Sequence, residues 1–322
     1  MTDVLVILDG ASEPIVGDEP TSLERADTPV LDALAQVGTV RRLRTIPDGL
    51  PAGSETGIAV LLGWTPEAPV DRAALEAAAL GIDIGEGRLA RRVDAIHPDG
   101  TRGDAREIEF PPELEVHVLG EHKLLVIAPI DAAPDLDGLH VWPAGITPPA
   151  ILDQTTVFIG ARGAASGLAQ LLGARVEITD DPAAAAVAEI EAGTPRVVVH
   201  VDGADEAAHE RDPDAKTAFL SRTDDELLAP IAAALHTHGG TLEVAPDHGA
   251  DPRTGEHDAF PVPALRWDPT TTEEDDPVDE GELTDEDLPV LALPKRRATQ
   301  NAPTGRRLTE RWAAPLPVEE LA

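Results

Sequence analysis

A chain of 322 residues, 42% of them hydrophobic, is long enough for one large α/β unit or for a core with a smaller insert. Its formal charge of −35 repels nucleic acid and anionic membranes and attracts divalent cations, and among its 25 basic residues only Lys123, Lys216 and Lys295 are lysines. It has no cysteine, which excludes disulfides and thiolate metal sites, so any metal must be held by oxygen and imidazole nitrogen.

The N-terminal "MTDVLVILDGASEP" has no basic segment, and no apolar run approaches about 18 residues. Neither a signal peptide nor a membrane span is expected, and the cytoplasm is the expected compartment. "VLVILDG" reads as a strand buried on both faces, stopped by Asp9 and Gly10. "TPVLDALAQVG" reads as a helix with Thr28 as N-cap, Pro29 in the first turn and Gly38 as stop. "LPAGSETGIAVLLG" places Ser54 after Gly53 at the start of a second helix, where free amides favour an anion, and "DRAALEAAALGI" continues as a helix from Asp71. Strand-like runs follow at 122–130, 155–160, 196–203 and 240–247, separated by helical patterns such as "ARGAASGLAQLLG" and "DDELLAPIAAALHTHG". Strands alternating with helices imply a mostly parallel sheet with helices on both faces. The glycines of "GARGAASG" do not have dinucleotide-binding spacing, and close packing is the better reading of them. Residues 271–322 turn acidic, then basic with Pro and Gly, and read as a partly extended surface tail.

Asp9, Asp205 and Asp247 each follow a strand-like run within a few residues, and ligands bind α/β sheets beyond such carboxyl ends. "HVDGADEAAHERD" spaces Asp205 and His209 four apart, on one face of a helical turn. "APDHGADPRTGEHDAFPVP" adds Asp247, His248 and His257 in a segment too rich in Gly and Pro for helix. Each group alone reads equally well as solvated surface. Together they offer enough oxygen and nitrogen ligands for two divalent cations, which can clamp a transferring phosphoryl group. Ser54, at a helix N-terminus, is a candidate nucleophile, or else a simple cap.

The order of Asp-Gly after the first strand, "TPVLDALAQVG", "PAGSETG", "LEAAALGI", "DEAAH", "DHGADPRTGEH" and "PVP" resembles the cofactor-independent phosphoglycerate mutases of the archaeal type, in the alkaline phosphatase superfamily. The likeness is weak from about 106 to 178 and absent after about 290. It implies an alkaline-phosphatase-like α/β core over 1–105 and 179–270, with a small inserted α/β subdomain over 106–178 that caps the substrate. It also implies one metal on Asp205, His209 and His257, a second on Asp9, Asp247 and His248, and Ser54 bridging toward the second as the residue that carries the phosphate. Manganese, zinc and magnesium all suit such ligands. The chain departs from the family in having Glu55 where Asp is usual and in lacking the glycines and proline before "LEAA". It is also shorter, chiefly in the insert. Arg72, Arg91 or Arg92, Lys123 and Arg162 are the candidate substrate holders, with Arg175 a further one, and His200 could support a ligand from its strand.

These features imply a mutase that interconverts 3- and 2-phosphoglycerate through phosphoserine at Ser54. The alternatives are a phosphatase or phosphotransferase acting on another small phosphomonoester, and a non-enzymatic acidic scaffold. The partner is a small phosphorylated molecule, with no nucleic acid and no membrane.

Overall fold

The computed structural model describes residues 1–96, 103–120, 122–130, 136 and 139–269. The tail expected over 271–322 lies outside the described residues. In strand β1 (Thr2–Leu8), Val4, Val6 and Leu8 join one buried cluster and Leu5 and Ile7 another, so both faces are covered. Helix α1 (Ser22–Arg25) is held by a capping box between Thr21 and Glu24. Helix α2 (Pro29–Val37) starts where the sequence predicts, but the Thr28 side chain does not cap it. The buried Asp224 carboxylate, distant in sequence, accepts instead from the amides of Val30 at 2.8 Å and Leu31 at 2.9 Å. Strand β2 (Thr39–Leu43), α3 (Ser54–Leu61) and α4 (Arg72–Leu80) follow, the last capped by Asp71 through the amides of Ala73 and Ala74.

A small sheet comes next: β3 (Arg88–Asp94), β4 (Glu115–Val118), β5 (Lys123–Pro129) and β6 (His140–Val141), antiparallel in the order β4-β5-β3-β6. The chain then alternates through β7 (Thr156–Gly160), α5 (Ala164–Leu172), β8 (Arg175–Ile178), α6 (Pro182–Ala192), β9 (Arg196–Val201), α7 (Gly203–His209), α8 (Pro213–Thr223), a π-helical turn at Asp224–Leu228, α9 (Ala229–His238) and β10 (Gly240–Ala245). A two-residue-per-arm hairpin, β11 (Gly249–Ala250) with β12 (His257–Asp258), precedes β13 (Val262–Trp267).

The main sheet runs β2-β13-β10-β1-β9-β7-β8, and β13 is the one strand antiparallel to its neighbours. One face packs on α2, α6 and α9, the other on α3 and α5, the α/β plan that the sequence implies. Gly167 allows α5 to press on α4, since a Cβ there would lie 1.9 Å from the Leu75 carbonyl oxygen, so close packing accounts for this glycine of "GARGAASG", whereas a Cβ on Gly163 would meet nothing within 4 Å.

Strand membership departs from the division at 106 and 178. β3, ahead of 106, belongs to the small sheet, whereas β7, α5 and β8, expected in the insert, build the main sheet and its core. The apolar run of β7 is buried along its whole length, as suits a central strand, whereas β3 mixes buried Ala90 and Val93 with arginines. The strands of the small sheet are β3 to β6.

Candidate metal centre

β10, β1 and β9 are consecutive neighbours in the sheet and run parallel, so the residues following them emerge on one edge, about 4.8 Å apart per strand. Asp9 directly follows β1, Asp247 follows β10, and Asp205 lies in α7 after β9. Gly10, with φ of +62°, lets α7 come close: a Cβ there would sit 2.8 Å from Asp205 Oδ1. The amides of Gly10 and His248 donate to Asp247 Oδ1 at 3.0 and 2.9 Å. The other oxygen, Oδ2, is buried and accepts no hydrogen bond among the described residues.

The helical spacing brings His209 Nε2 within 3.3 Å of Asp205 Oδ2. The β11/β12 hairpin explains the nine-residue step from His248 to His257. Its register opposes Ala250 to His257, which folds the second imidazole back until its ring centre is 4.1 Å from that of His248. Gly249 leaves room for the Asp258 carboxylate, whose Oδ2 would lie 2.2 Å from a Cβ there. His257 Nε2 then stands 3.0 Å from Asp205 Oδ1 and 3.1 Å from His209 Nε2. Each ligand-candidate imidazole has its Nδ1 against a backbone carbonyl: His209 with Gly255 at 3.1 Å, His248 with Gly249 at 3.1 Å, and His257 with Ala52 at 3.3 Å. With Nδ1–H donating there, all three Nε2 atoms present lone pairs to the cluster, the arrangement that metal-binding histidines use. Ligand atoms of Asp205, His209 and His257 lie within 4.8 Å of one another, as do those of Asp9, Asp205 and His248. Asp205 belongs to both groups. Oxygen and imidazole donors in this geometry, with an unsatisfied buried carboxylate oxygen beside them, fit divalent cations.

Ser54 opens α3 with its Oγ–H donating to Asp9 Oδ1 at 3.2 Å, and Oγ is 3.3 Å from His248 Nε2. Gly57 makes this approach possible: a Cβ there would be 2.2 Å from the Asp247 carbonyl oxygen. The amides of Thr56 and Gly57 both donate to Gly53 O at 3.0 Å, which leaves those of Ser54 and Glu55 as the helix-start amides without an intrahelical partner.

Charge is concentrated in the cluster. Burial acts to raise Asp9, but its hydrogen bonds to His200 and His248 hold it well below the usual carboxylate range. Asp205 is lowered likewise, against burial, by His209 and His257. Burial and then the Asp9 charge push Asp247 up to about 7. Burial opposes protonation of His248, yet Asp247 and Asp9 raise it to about 10. His200 Nε2 lies 2.9 Å from Asp9 Oδ2, the supporting contact its strand position suggests.

The candidate substrate holders divide. Arg72, at the start of α4, is 2.6 Å from Glu55 and 3.5 Å from Glu76, and feels the Asp9 charge. Arg92 is buried and paired with Asp94 and, at 3.6 Å, with Glu76. Register puts Arg92 and Lys123 on the face of the small sheet that meets α4, and Arg91 on the opposite face, where it donates to Ala90 O. Lys123 lies close enough to Arg72 and Arg92 for their charges, after burial, to lower its pKa. Arg162 donates to the Ala79 carbonyl at the end of α4 at 2.6 Å, and Arg175 pairs with Glu189 at 2.6 Å, so both are engaged in tying down helices. Sequence reasoning missed Trp142. Its Nε1 donates to Asp94 at 2.7 Å, and its ring lies 5.4 Å from the Arg72 guanidinium and 5.9 Å from that of Arg92. The signal available was a tryptophan in a chain with only four.

Comparison with known proteins adds to this geometry. Residues 176–288 match the family model of the metalloenzyme superfamily, and residues 35–108 match that of 2,3-bisphosphoglycerate-independent phosphoglycerate mutase. A probable mutase of that name from Geobacter sulfurreducens is 35% identical over 111 residues, 32% of this chain and 27% of the relative. Another, from Methanothermobacter thermautotrophicus, is 34% identical over 102 residues, 31% of this chain and 25% of the relative. The matched stretch thus spans less than a third of these relatives' length. A solved structure of a Pyrococcus horikoshii protein superposes with a TM-score of 0.68 at 20% identity, covering 83% of this chain and 87% of that one, which shows a shared fold.

Proposed function

We propose that this chain, a relative of the cofactor-independent phosphoglycerate mutases within the metalloenzyme superfamily, is a metal-dependent phosphoryl-transfer enzyme that interconverts 3- and 2-phosphoglycerate through phosphoserine at Ser54. The observation that carries this reading is the convergence of Ser54 Oγ with Asp9 and His248 beside the Asp205, His209 and His257 group. Asp205, His209 and His257 would hold one cation, and Asp9, Asp247 and His248 a second, with Ser54 at its edge. Manganese, zinc or magnesium suits both. When bound, such cations neutralise charge on the transferring phosphoryl group and favour ionisation of a neighbouring hydroxyl.

The protein's own groups do the rest. Asp9 orients the Ser54 hydroxyl, and the first amides of α3 receive phosphoryl oxygens. Ser54 Oγ attacks phosphorus. As the new O–P bond forms, the ester O–P bond breaks, and the proton given up by the Ser54 hydroxyl ends on the departing glycerate oxygen. In the return step the other glycerate hydroxyl attacks the phosphoserine, restoring Ser54. Arg72 adds positive charge beside the serine, and the small sheet shields the phosphoserine from water. No described helix is long and apolar enough to cross a membrane, and a glycolytic role of this kind is cytoplasmic.

A second reading, a phosphatase or phosphotransferase for another small phosphomonoester, draws on the same sheet. Arg72 and Arg92 are already paired with carboxylates, which weakens their hold on an anionic glycerate. Phosphorus NMR of manganese-loaded protein with 3-phosphoglycerate, and separately with an aryl phosphate, tests both. Formation of 2-phosphoglycerate without free phosphate is expected. Free phosphate from both substrates identifies a phosphatase, and no turnover with any of the three metals overturns the enzymatic reading.

A further inference from the structure

Lys216, on α8, is fully buried, an unusual place for an ammonium. Its Nζ donates to the carbonyl oxygens of Ala250 at 2.6 Å and Ser12 at 3.2 Å, and lies 3.0 Å from Glu13 Oε2. Glu13 in turn accepts from the Ser22 amide at 2.9 Å, anchoring the cluster to α1. Ser12 is three residues beyond Asp9, and Ala250 is two beyond His248. The Ala250 amide also donates to Ser12 O at 2.9 Å, so the two loops are joined both directly and through the lysine. Helix α8 itself follows α7, which carries Asp205 and His209, after a short turn. One side chain therefore links all three segments that carry candidate metal ligands.

An ammonium has no lone pair to give a metal, so Lys216 is not a ligand. Its pairing with Glu13 makes the buried cluster electrically neutral, and a neutral link can stand beside a cation site without competing with it. We propose that Lys216 is a positioning residue for the metal centre, holding the loop after β1 and the loop after β10 in the relative register that aims Asp9, Asp247 and His248 at one point. This inference rests on the metal-dependent reading above.

Manganese titration calorimetry tests it independently of any substrate. Lys216→Met alone leaves the Glu13 carboxylate buried and unpaired, which threatens the fold. The double exchange Lys216→Met with Glu13→Gln removes both charges and is expected to stay folded by circular dichroism. In it the manganese Kd should rise about 10- to 100-fold, the range seen when groups that orient metal ligands are removed. A lysine that served stability alone would lower the melting temperature of the metal-free protein and leave Kd unchanged. A folded double variant with wild-type Kd overturns the proposal. If that variant does not fold, Glu13→Gln alone, which strips the ammonium of its counter-ion, should raise Kd less but in the same direction, and an unchanged Kd there overturns the proposal equally. Wild-type protein that binds no manganese would sink the metal-dependent reading itself and this inference with it, an outcome distinct from variants that bind as wild type does.

Discussion

The edge of the main sheet that carries the candidate ligands and the small sheet beside it arrange charge in different ways. At the edge, Asp9 and Asp205 converge with three imidazoles, Asp247 lies against His248, and a carboxylate oxygen each of Asp205 and Asp247 is buried without a hydrogen bond among the described residues. Where the small sheet meets α4 the buried charges are of both signs and paired: Arg92 with Asp94 and Glu76, Arg72 with Glu55 and Glu76, and Trp142 near both guanidiniums. The first arrangement gathers carboxylates and imidazoles around one point, and the second sets cations against anions pair by pair. The difference teaches that clustered donors, which suit a proposed cation site, and cross-paired charges, which hold a sheet against a helix, are distinct uses of buried polarity.

The sharpest test removes the reacting group and leaves the edge otherwise whole. Ser54→Ala should cut phosphoryl transfer by on the order of 10⁴-fold or more, while manganese content by elemental analysis stays near wild type. Residual activity above a few per cent would take Ser54 out of its role. In the small sheet, Arg92→Met leaves Asp94 and Glu76 buried with less compensation, and should cost about 3–5 kcal/mol in urea unfolding. A stable variant with a collapsed kcat would break the comparison, because Arg92 would then act on the reaction and not on the sheet.

At the edge, Asp205→Asn or His257→Ala should weaken manganese binding by more than about 100-fold with little loss of fold, since removing a ligand costs more than removing its support. An unchanged metal stoichiometry would refute these assignments. The mildest effect is that of pH. His248 in the metal-free protein holds its proton up to about pH 10, because Asp247 and Asp9 outweigh burial. A cation needs the neutral ring and must displace that proton. Manganese affinity should therefore rise with pH through the neutral range, by about tenfold per unit for each proton released, and fall as pH drops. Calorimetry in buffers of different ionisation enthalpy counts the protons, and a flat profile between pH 6 and 8 would contradict the coupling.

Much of the edge was legible in the sequence because its signals are local. The helical spacing of Asp205 and His209 puts both on one face whatever the rest of the chain does, and "VLVILDG" must end where its apolar run meets Asp9 and Gly10. The small sheet was not legible to the same degree. Sheet membership does not follow the expected division at 106 and 178, and the choice between Arg91 and Arg92 depends on which face of β3 meets α4, a question of register that one strand cannot answer. Thr28 illustrates the same limit, since its capping role passed to Asp224 from the far side of the core.

By itself, then, the sequence determined which residue types are available and which near neighbours share a turn, because covalent spacing governs distances within a helix turn or a tight hairpin. Tertiary structure alone decided that β10, β1 and β9 lie side by side, that the β11/β12 hairpin returns His257 to His248, and that a buried lysine ties the ligand loops together. Those outcomes depend on how apolar faces are covered across the whole sheet, and no local stretch of chain carries that information.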